Sequence, residues 1–426
     1  MIKTRRSDFF KRQLNVLADL HEAEWLTEHR KKALSVSRDL DWPDYPRVLK
    51  TTFQAISAPS SWSLQEEKTF LTEKSQIRIE QSNLSSLKIY LPRELQKLGV
   101  VVMNLFEAAE KRPDLVQQYL QKDPHNRLLA IHQAYWNCGL LIYLPNDLHL
   151  EKPIEISLTV DNYASAIEQH ILFITGSGVT ATVVQTTKSS TGLEKVQLNS
   201  VFDLIAGPGS RLDCFAVDQL NHSKISYFNR FSRLGVDAEV NWLLAEMNLN
   251  NLVGECSAIL NGNGSKANLR VVSLADRKQK QALMTKLIHI GQHTTGNINQ
   301  RGVILQDGRL IYNAVGKIVK GAHGANSEQS SRILLLSPTA TGDANPILLI
   351  DENDVEAGHA ASIGRVSPEQ LYYLMSRGLT VDRARQLLVK GFFDDLLDRL
   401  PIDNLRVELD QALERRLLTN AQKSVS

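Results

Sequence analysis

Near Leu140 the apolar period of this chain changes from about four to two, and that change constrains the fold more than any other feature. Pro153-Ile-Glu-Ile-Ser-Leu-Thr-Val alternates apolar and polar residues strictly, and so does much of Ser210-Arg-Leu-Asp-Cys-Phe-Ala-Val. A period of two puts alternate side chains on opposite faces of a strand. Short runs of this kind recur at 171–175, 179–186, 198–206, 239–247, 256–260, 269–274, 284–290 and onward to 347–350. Gly, Asn, Asp and Ser punctuate them, as in Gly207-Pro-Gly-Ser, Asn261-Gly-Asn-Gly-Ser and Gln306-Asp-Gly. So many short strands with no long helical pattern between them predict an all-β body. A sandwich or barrel usually closes in fewer strands, whereas a stacked solenoid takes them as successive rungs. No strict repeat is visible, so the solenoid rests on strand number and spacing.

Helical patterns flank this body. From 7 to 32 Leu14, Leu17, Trp25, Leu26 and the following Ala33 fall at threes, fours and sevens, until Asp41-Trp-Pro-Asp-Tyr-Pro breaks the pattern. Strand-like runs at 76–80 and 87–91 are followed by helical spacing at 94–111 and 114–121. Asp123-Pro124 reads as the cap and first turn of a helix over 128–135. At the other end Ser367-Pro-Glu-Gln opens a helix bearing Leu371, Leu374 and Met375, which Gly378 ends. Thr380 caps a second helix carrying Ala384, Leu387, Leu388, Phe392, Leu396 and Leu397, and a third is expected over 404–418. The expected organisation is a helical N-terminal domain with short strands over 1–135, a β core over 136–366 and a helical C-terminal domain over 367–426.

Charge and composition narrow the function. With 49 Lys plus Arg against 47 Asp plus Glu, the net charge of +2 is too small for a protein whose task is neutralising phosphates. No stretch approaches the roughly 18 apolar residues needed to span a membrane, and no apolar signal core follows the basic start, so a cytoplasmic protein is expected. Cys138, Cys214 and Cys256 are dispersed and form no C-x-x-C pair, which argues against a disulfide framework or a zinc site.

Several motifs carry less than they suggest. Gly316-Lys-Ile-Val-Lys-Gly321 continues Ala-His where a phosphate loop needs Lys-Ser/Thr, and Gly262-Asn-Gly-Ser is a turn between rungs. His289 and His293 lie in a strand-and-turn segment and read as structural, as does His323 in its Gly/Ala-rich turn. Asp351, Glu352, Asp354 and Glu356 could serve a β-helix enzyme that cleaves polysaccharide. The missing secretion signal and the 6% aromatic content weigh against it. His359, among Gly358, Ala360 and Ala361, reads from the residues alone as a turn histidine.

The same C-terminal segments resemble the SufB/SufD family of iron–sulfur cluster assembly scaffolds. The resemblance is carried by Gln329-Ser-Ser-Arg-Ile-Leu-Leu-Leu-Ser-Pro, Asn345-Pro-Ile-Leu-Leu-Ile, Asp354-Val-Glu-Ala-Gly-His-Ala-Ala-Ser-Ile-Gly and Glu369-Gln-Leu-Tyr-Tyr-Leu-Met-Ser-Arg-Gly-Leu. His293-Thr-Thr-Gly-Asn, Gly302-Val-Ile-Leu-Gln-Asp-Gly-Arg and Ala134-Tyr-Trp-Asn-Cys-Gly-Leu-Leu-Ile-Tyr-Leu-Pro fit the same pattern, while 165–280 is diffuse.

The resemblance implies a mainly β fold, a right-handed parallel β-helix between helical domains, and a scaffold rather than an enzyme. It further implies pairing with a SufB-like paralogue through the β-helix ends and docking of a SufC-like ATPase on the C-terminal helices, at Leu387, Leu388, Phe392, Phe393 and Leu396. Sulfur would come indirectly from a desulfurase and carrier pair, and a nascent cluster would form on the paired scaffold, with no cofactor held stably by this chain alone. Whether flavin joins the complex, and whether the isolated chain forms a homodimer, stay open. SufB-like chains carry a cysteine shortly before the segment matching 354–364 and a glutamate beside its histidine. Here no cysteine follows Cys256, Ala360 follows His359, and Ala357 stands where some SufD chains have cysteine. SufD, the member associated with iron acquisition, is the better match; a SufB-type chain holding the cluster itself is the alternative. On this reading His359, with Asp354 and Gly358, lies at the SufB interface, and His359 is a candidate metal ligand.

Overall fold

A computed structural model of the chain describes residues 22–48, 66–72, 76–82, 84, 86–120, 123–161, 166–190, 196–221, 225–398 and 400–423. The helical pattern over 7–21, with Leu14 and Leu17, lies outside them. Twenty strands among the described residues form two sheets. In chain order they are β1 (Glu66–Thr72), β2 (Arg78–Ser82), β3 (Ser86–Pro92), β4 (Val101–Asn104), β5 (Cys138–Leu144), β6 (Ile154–Val160), β7 (Ala166–Thr175), β8 (Thr180–Ser189), β9 (Gln197–Ala206) and β10 (Arg211–Gln219). There follow β11 (Ile225–Leu234), β12 (Glu239–Glu246), β13 (Asn251–Leu260), β14 (Lys266–Ala275), β15 (Lys280–His289), β16 (Thr295–Ile304), β17 (Arg309–Ile318), β18 (Ala325–Leu335), β19 (Thr341–Ile350) and β20 (Val355–Arg365).

From β5 onward the chain alternates between the sheets. Even-numbered strands stack in one and odd-numbered strands in the other, and every pairing among β5–β20 is parallel. The paired positions lie from 26 residues apart (Ile225 opposite Asn251) to 32 apart (Arg309 opposite Thr341), which is the length of one solenoid turn. About seven such turns span 138–365. β1–β3 continue the first sheet and β4 the second, so strands of the N-terminal region extend the same two layers.

One corner explains why the turns stack without a repeated motif. Asp147, Gly178, Gly209, Asp237, Gly264, His293 and Gly324 all have φ between 53° and 70°. Each donates its backbone N–H to a carbonyl of the next turn, at 2.7–2.9 Å, in the sequence Ser177, Pro208, Val236, Asn263, Gln292, His323 and Asp354. The column demands a left-handed backbone, which glycine adopts freely and Asp and His tolerate; it does not demand one residue type.

Between the sheets the lumen is filled by aliphatic side chains and an aromatic stack. Phe173 and Phe202 lie with ring centroids 6.1 Å apart, and Phe202 meets Trp242 edge-on at 5.3 Å. The Trp242 indole N–H finds Ser232 Oγ at 2.8 Å, so the ring is buried without an unpaired donor. Such rings cost about 3–5 kcal/mol each when truncated to Ala. Cys138, Cys214 and Cys256 also face this core, and burial raises all three thiols, Cys138 and Cys256 to about 12. Thiols held protonated in this way are poor nucleophiles and metal ligands.

Helices cover the outer faces. Leu105, Ala108, Val116 and Leu120 pack on Leu141, Leu172 and Ile174 of the second sheet. The C-terminal helices Val381–Leu397 and Asp403–Lys423 lay Val389, Phe393, Leu396, Leu409 and Leu413 on Phe215, Val217, Leu243, Val272 and Val303 of the first. Two sequence expectations are corrected. The stretch 94–111 is not one helix: Arg93–Lys97 ends at Gly99 (φ +94°), β4 pairs antiparallel with β5, and helix Leu105–Lys111 follows. Val100, Val101 and Val102 fit both patterns, and the free edge of β5 decides for strand. Asp123 caps nothing. Its carboxylate meets Lys32 at 2.8 Å, and the helix Arg127–Tyr135 is capped by Asn126, whose Oδ1 accepts from the Leu129 N–H at 2.9 Å.

Candidate functional site at the open end of the solenoid

Among the described residues β20 is the last strand of the first sheet, paired on one edge with β18 and open on the other. His359 lies in the middle of this strand, not in a turn. The small residues around it suggested a turn, but they sit on a strand that no further rung covers. Gln329 is its partner across the ladder, followed inward by Ile298 and Leu269. Those three are buried, so parity places His359 on the lumen face, exposed where the next turn would stack. Ala357, Ala361 and Ile363 share that face, and Ile363 is 44% exposed.

Toward this mouth the lumen becomes polar. Ser331 donates to Gln300 Oε1 at 2.6 Å, the Gln300 amide reaches Thr285 Oγ1 at 3.1 Å, and the Gln329 amide reaches the Ile347 carbonyl at 3.2 Å. On the outer face a ladder of amides leads to the same strand. Asn297 donates to Asn268 at 2.9 Å, Asn268 to Asn241 at 2.6 Å, and Asn241 to Asp213 at 2.8 Å. The next partner in that row is Glu328, then Gly358. Asn268, Asn297, Glu328 and Gly358, with Arg270, Asn299 and Ser330, line an open recess of about 560 Å³.

The turn before β20 is fixed by Glu352. Its buried carboxylate accepts from the N–H groups of Gly321 (3.0 Å) and Asn353 (2.8 Å), with Lys320 Nζ and His323 Nδ1 each 3.5 Å away. Those backbone donors hold its acidity at about 2. Glu352 is thus a structural anion, which removes it from any set of catalytic carboxylates. Asp354 supplies the last carbonyl of the corner column, to Gly324 N–H at 2.7 Å. His293 belongs to that column, and His289 is buried against Thr294 Oγ1 at 2.9 Å, so both are structural. Among the described residues no group of three or more His, Cys, Asp or Glu is arranged to hold a metal ion. His359 is a single donor.

The residues expected to dock an ATPase are split. Phe393 and Leu396 are buried against the first sheet, Leu388 and Phe392 are half-buried, and Leu387 is 50% exposed. The Phe392 carbonyl is tied to Arg301 at 2.7 Å. Tyr372 (74% exposed), Tyr373 and Met375 on helix Pro368–Ser376 add exposed apolar surface that the reading of the sequence did not assign to docking.

A two-sheet parallel solenoid with helices on both outer faces, and a last rung that no described strand covers, defines the β-solenoid class of protein. Residues 158–392 match the family described as SUF system FeS cluster assembly, SufBD core domain, and residues 2–156 match the SufBD protein N-terminal region. The chain belongs to this SufBD family and is SufD-like. It is 33% identical over 414 residues to the iron–sulfur cluster assembly protein SufD of Bacillus subtilis, covering 93% of this chain and 95% of that one. It is 21% identical over 403 residues to a SufBD family protein of Staphylococcus saprophyticus, covering 93% and 84%. Among the described residues no helix is long and apolar enough to cross a membrane.

Proposed function

We propose that this chain is the non-catalytic SufD-type subunit of a cytoplasmic cluster-assembly complex, joined through its open end to a SufB-like paralogue. The observation that carries the reading is β20, a strand with one free edge and both faces uncovered, ending a lumen that turns polar and presents His359. Such an edge is a template for another strand. A neutral imidazole at a partner's thiolate site suits iron or proton transfer near neutral pH. One imidazole cannot hold a cluster, so the thiolate ligands come from the partner. The SufB-type alternative needs an accessible thiol on this chain, and Cys256 is buried with its thiol raised to about 12.

In the same reading a SufC-like ATPase docks on the exposed face formed by Tyr372, Tyr373, Met375 and Leu387. The groove between the last two long helices, lined by Leu379, Leu387, Leu413 and Leu417, offers an apolar seat beside it. Phe393 and Leu396 serve by fixing that face to the solenoid. Co-expression with the SufB-like and SufC-like partners tests both contacts. Ile363→Asp is expected to abolish pairing with the SufB-like chain while leaving the SufC-like subunit bound; Leu387→Asp with Tyr372→Ala is expected to do the reverse. His359→Ala is expected to keep the complex and lower cluster yield. Normal pairing by Ile363→Asp would refute the end-to-end reading, and normal cluster yield by His359→Ala would make His359 structural.

A further inference from the structure

A cleft of about 390 Å³ lies between the N-terminal helices and the outer face of the second sheet, far along the chain from β20. Its floor is one row of the sheet, with Asp203, Phe231, Ser257 and Lys286 in register on β9, β11, β13 and β15. Arg233, one row over, and Trp136 complete the wall. We propose that this cleft binds a small aromatic anion of one or two rings.

Three observations carry the assignment. The first is a buried polar chain that ends in the cleft. Asn199 donates to Glu168 Oε2 at 2.8 Å, Glu168 Oε2 meets His132 Nδ1 at 3.2 Å, and His132 Nε2 meets His170 Nδ1 at 3.1 Å. All four residues are at least nine-tenths buried. Burial raises the Glu168 carboxyl above its ordinary value and lowers the His132 imidazole below its own. The chain ends at His170 Nε2, on a residue that lines the cleft. No hydrogen-bond acceptor meets that last nitrogen, and the nearest carboxylate oxygen, of Asp203, stands 3.5 Å away. A buried ring nitrogen left without a partner favours a ligand with a polar group that can meet it.

The second is charge. Asp203 stands 3.5 Å from His170 Nε2, and the other acidic groups around the cleft are answered: Glu255 by the Tyr45 hydroxyl at 2.8 Å and Asp123 by Lys32 at 2.8 Å. The cations are not. Among the described residues no carboxylate pairs with Lys286 or Arg233, and Arg233 Nη1 is buried without a partner. The third is shape and surface. Phe231 is half-buried and met edge-on by His125 at 6.5 Å, so its ring offers an aromatic surface to a flat ligand. The volume is at the small end of ligand pockets, which suits one or two rings and excludes a dinucleotide.

The test uses the full chain with 8-anilino-1-naphthalenesulfonate and its uncharged counterpart 1-anilinonaphthalene, titrated by fluorescence. The sulfonate is expected to bind about tenfold or more tightly than the neutral compound, a preference of about 1.4 kcal/mol. Lys286→Gln and Arg233→Gln are each expected to reduce that preference to about threefold or less. Lys278→Gln, which removes an exposed charge outside the cleft, is expected to leave it intact. Phe231→Ala should weaken both compounds together. Thermal unfolding of each variant separates loss of binding from loss of fold, and Lys286→Gln, at a half-buried position, decides if Arg233→Gln does not fold. Equal binding of the two compounds, no binding, or a sulfonate preference that survives Lys286→Gln overturns the assignment. Because the cleft shares no residue with the open end, the outcome does not depend on the scaffold reading.

Discussion

The carboxylate of Glu328 lies over Gly358, so close that a Cβ on Gly358 would stand 2.7 Å from Oε2. The obstacle is the far end of a flexible side chain, which can swing aside. Gly358→Ala is therefore expected to change unfolding free energy by less than about 1 kcal/mol while displacing Glu328 from the recess. Gly262 is the contrast. A Cβ there would meet the backbone of the preceding turn, 2.1 Å from Val236 N and 2.2 Å from the Gly235 carbonyl carbon. Gly262→Ala is expected to cost about 3 kcal/mol or more. Urea unfolding of the two variants checks the difference.

Glu352 gives the end turn an acid dependence. Its folded acidity, about 2, lies below its ordinary value of 4.5. A depressed carboxyl contributes stability that is complete above 4.5 and is lost as pH falls toward 2. Wild type is expected to exceed Glu352→Gln in thermal midpoint at pH 6, and the gap should close steadily below pH 4.5. A constant gap down to pH 2 would mean the carboxylate charge contributes nothing.

Glu168 works with the opposite sign. Burial raises its carboxyl above the ordinary value, so the folded state holds a proton that the unfolded state gives up above pH 4.5. Wild type should lose stability relative to Glu168→Gln as pH rises from 4.5. Gln keeps an oxygen and an N–H group with which to meet Asn199 and His132, whereas Glu168→Ala strands both and is expected to cost about 2–4 kcal/mol. Denaturant melts of the three proteins at pH 5 and pH 8 separate these effects.

Arg416 holds the last helix to the first sheet. Its guanidinium donates to the carbonyls of Met247 (3.3 Å), Asn248 (3.4 Å) and Leu274 (3.1 Å), with Asp276 at 3.8 Å from Nε. Arg416→Met keeps the apolar stem and removes those bonds, an expected loss of about 2–3 kcal/mol. Hydrogen exchange should quicken over 403–423 while β11–β17 stay protected.

The strands were legible because each alternates, whatever its neighbours do. The turn length was not, because the column that sets it runs through Asp147, Gly178, Asp237 and His293, and shares a backbone angle instead of a letter. The helix over 94–111 was misjudged because three valines suit either pattern until the edge they pair with is known. At the open end, His359 was singled out through resemblance, since its small neighbours point to a turn when read alone. The chain of Glu168, His132 and His170 left no sequence signal at all. Its histidines are 38 residues apart and come from a helix and a strand that meet only in the folded molecule.

In the proposed end-to-end pairing, the lumen column Leu269, Ile298, Gln329, His359 advances by one residue per rung, so whatever completes the stack is read by parity. Strands lie about 4.8 Å apart and alternate their faces, so a partner strand displaced by one residue would bring the wrong face to His359, and displaced by two would restore the right one. Fidelity of assembly at this end is thus a counting problem, decided in whole residues, and a graded loss of affinity is not the failure to expect. An insertion or deletion of one residue in the partner's matching strand would be far more damaging than most substitutions in it.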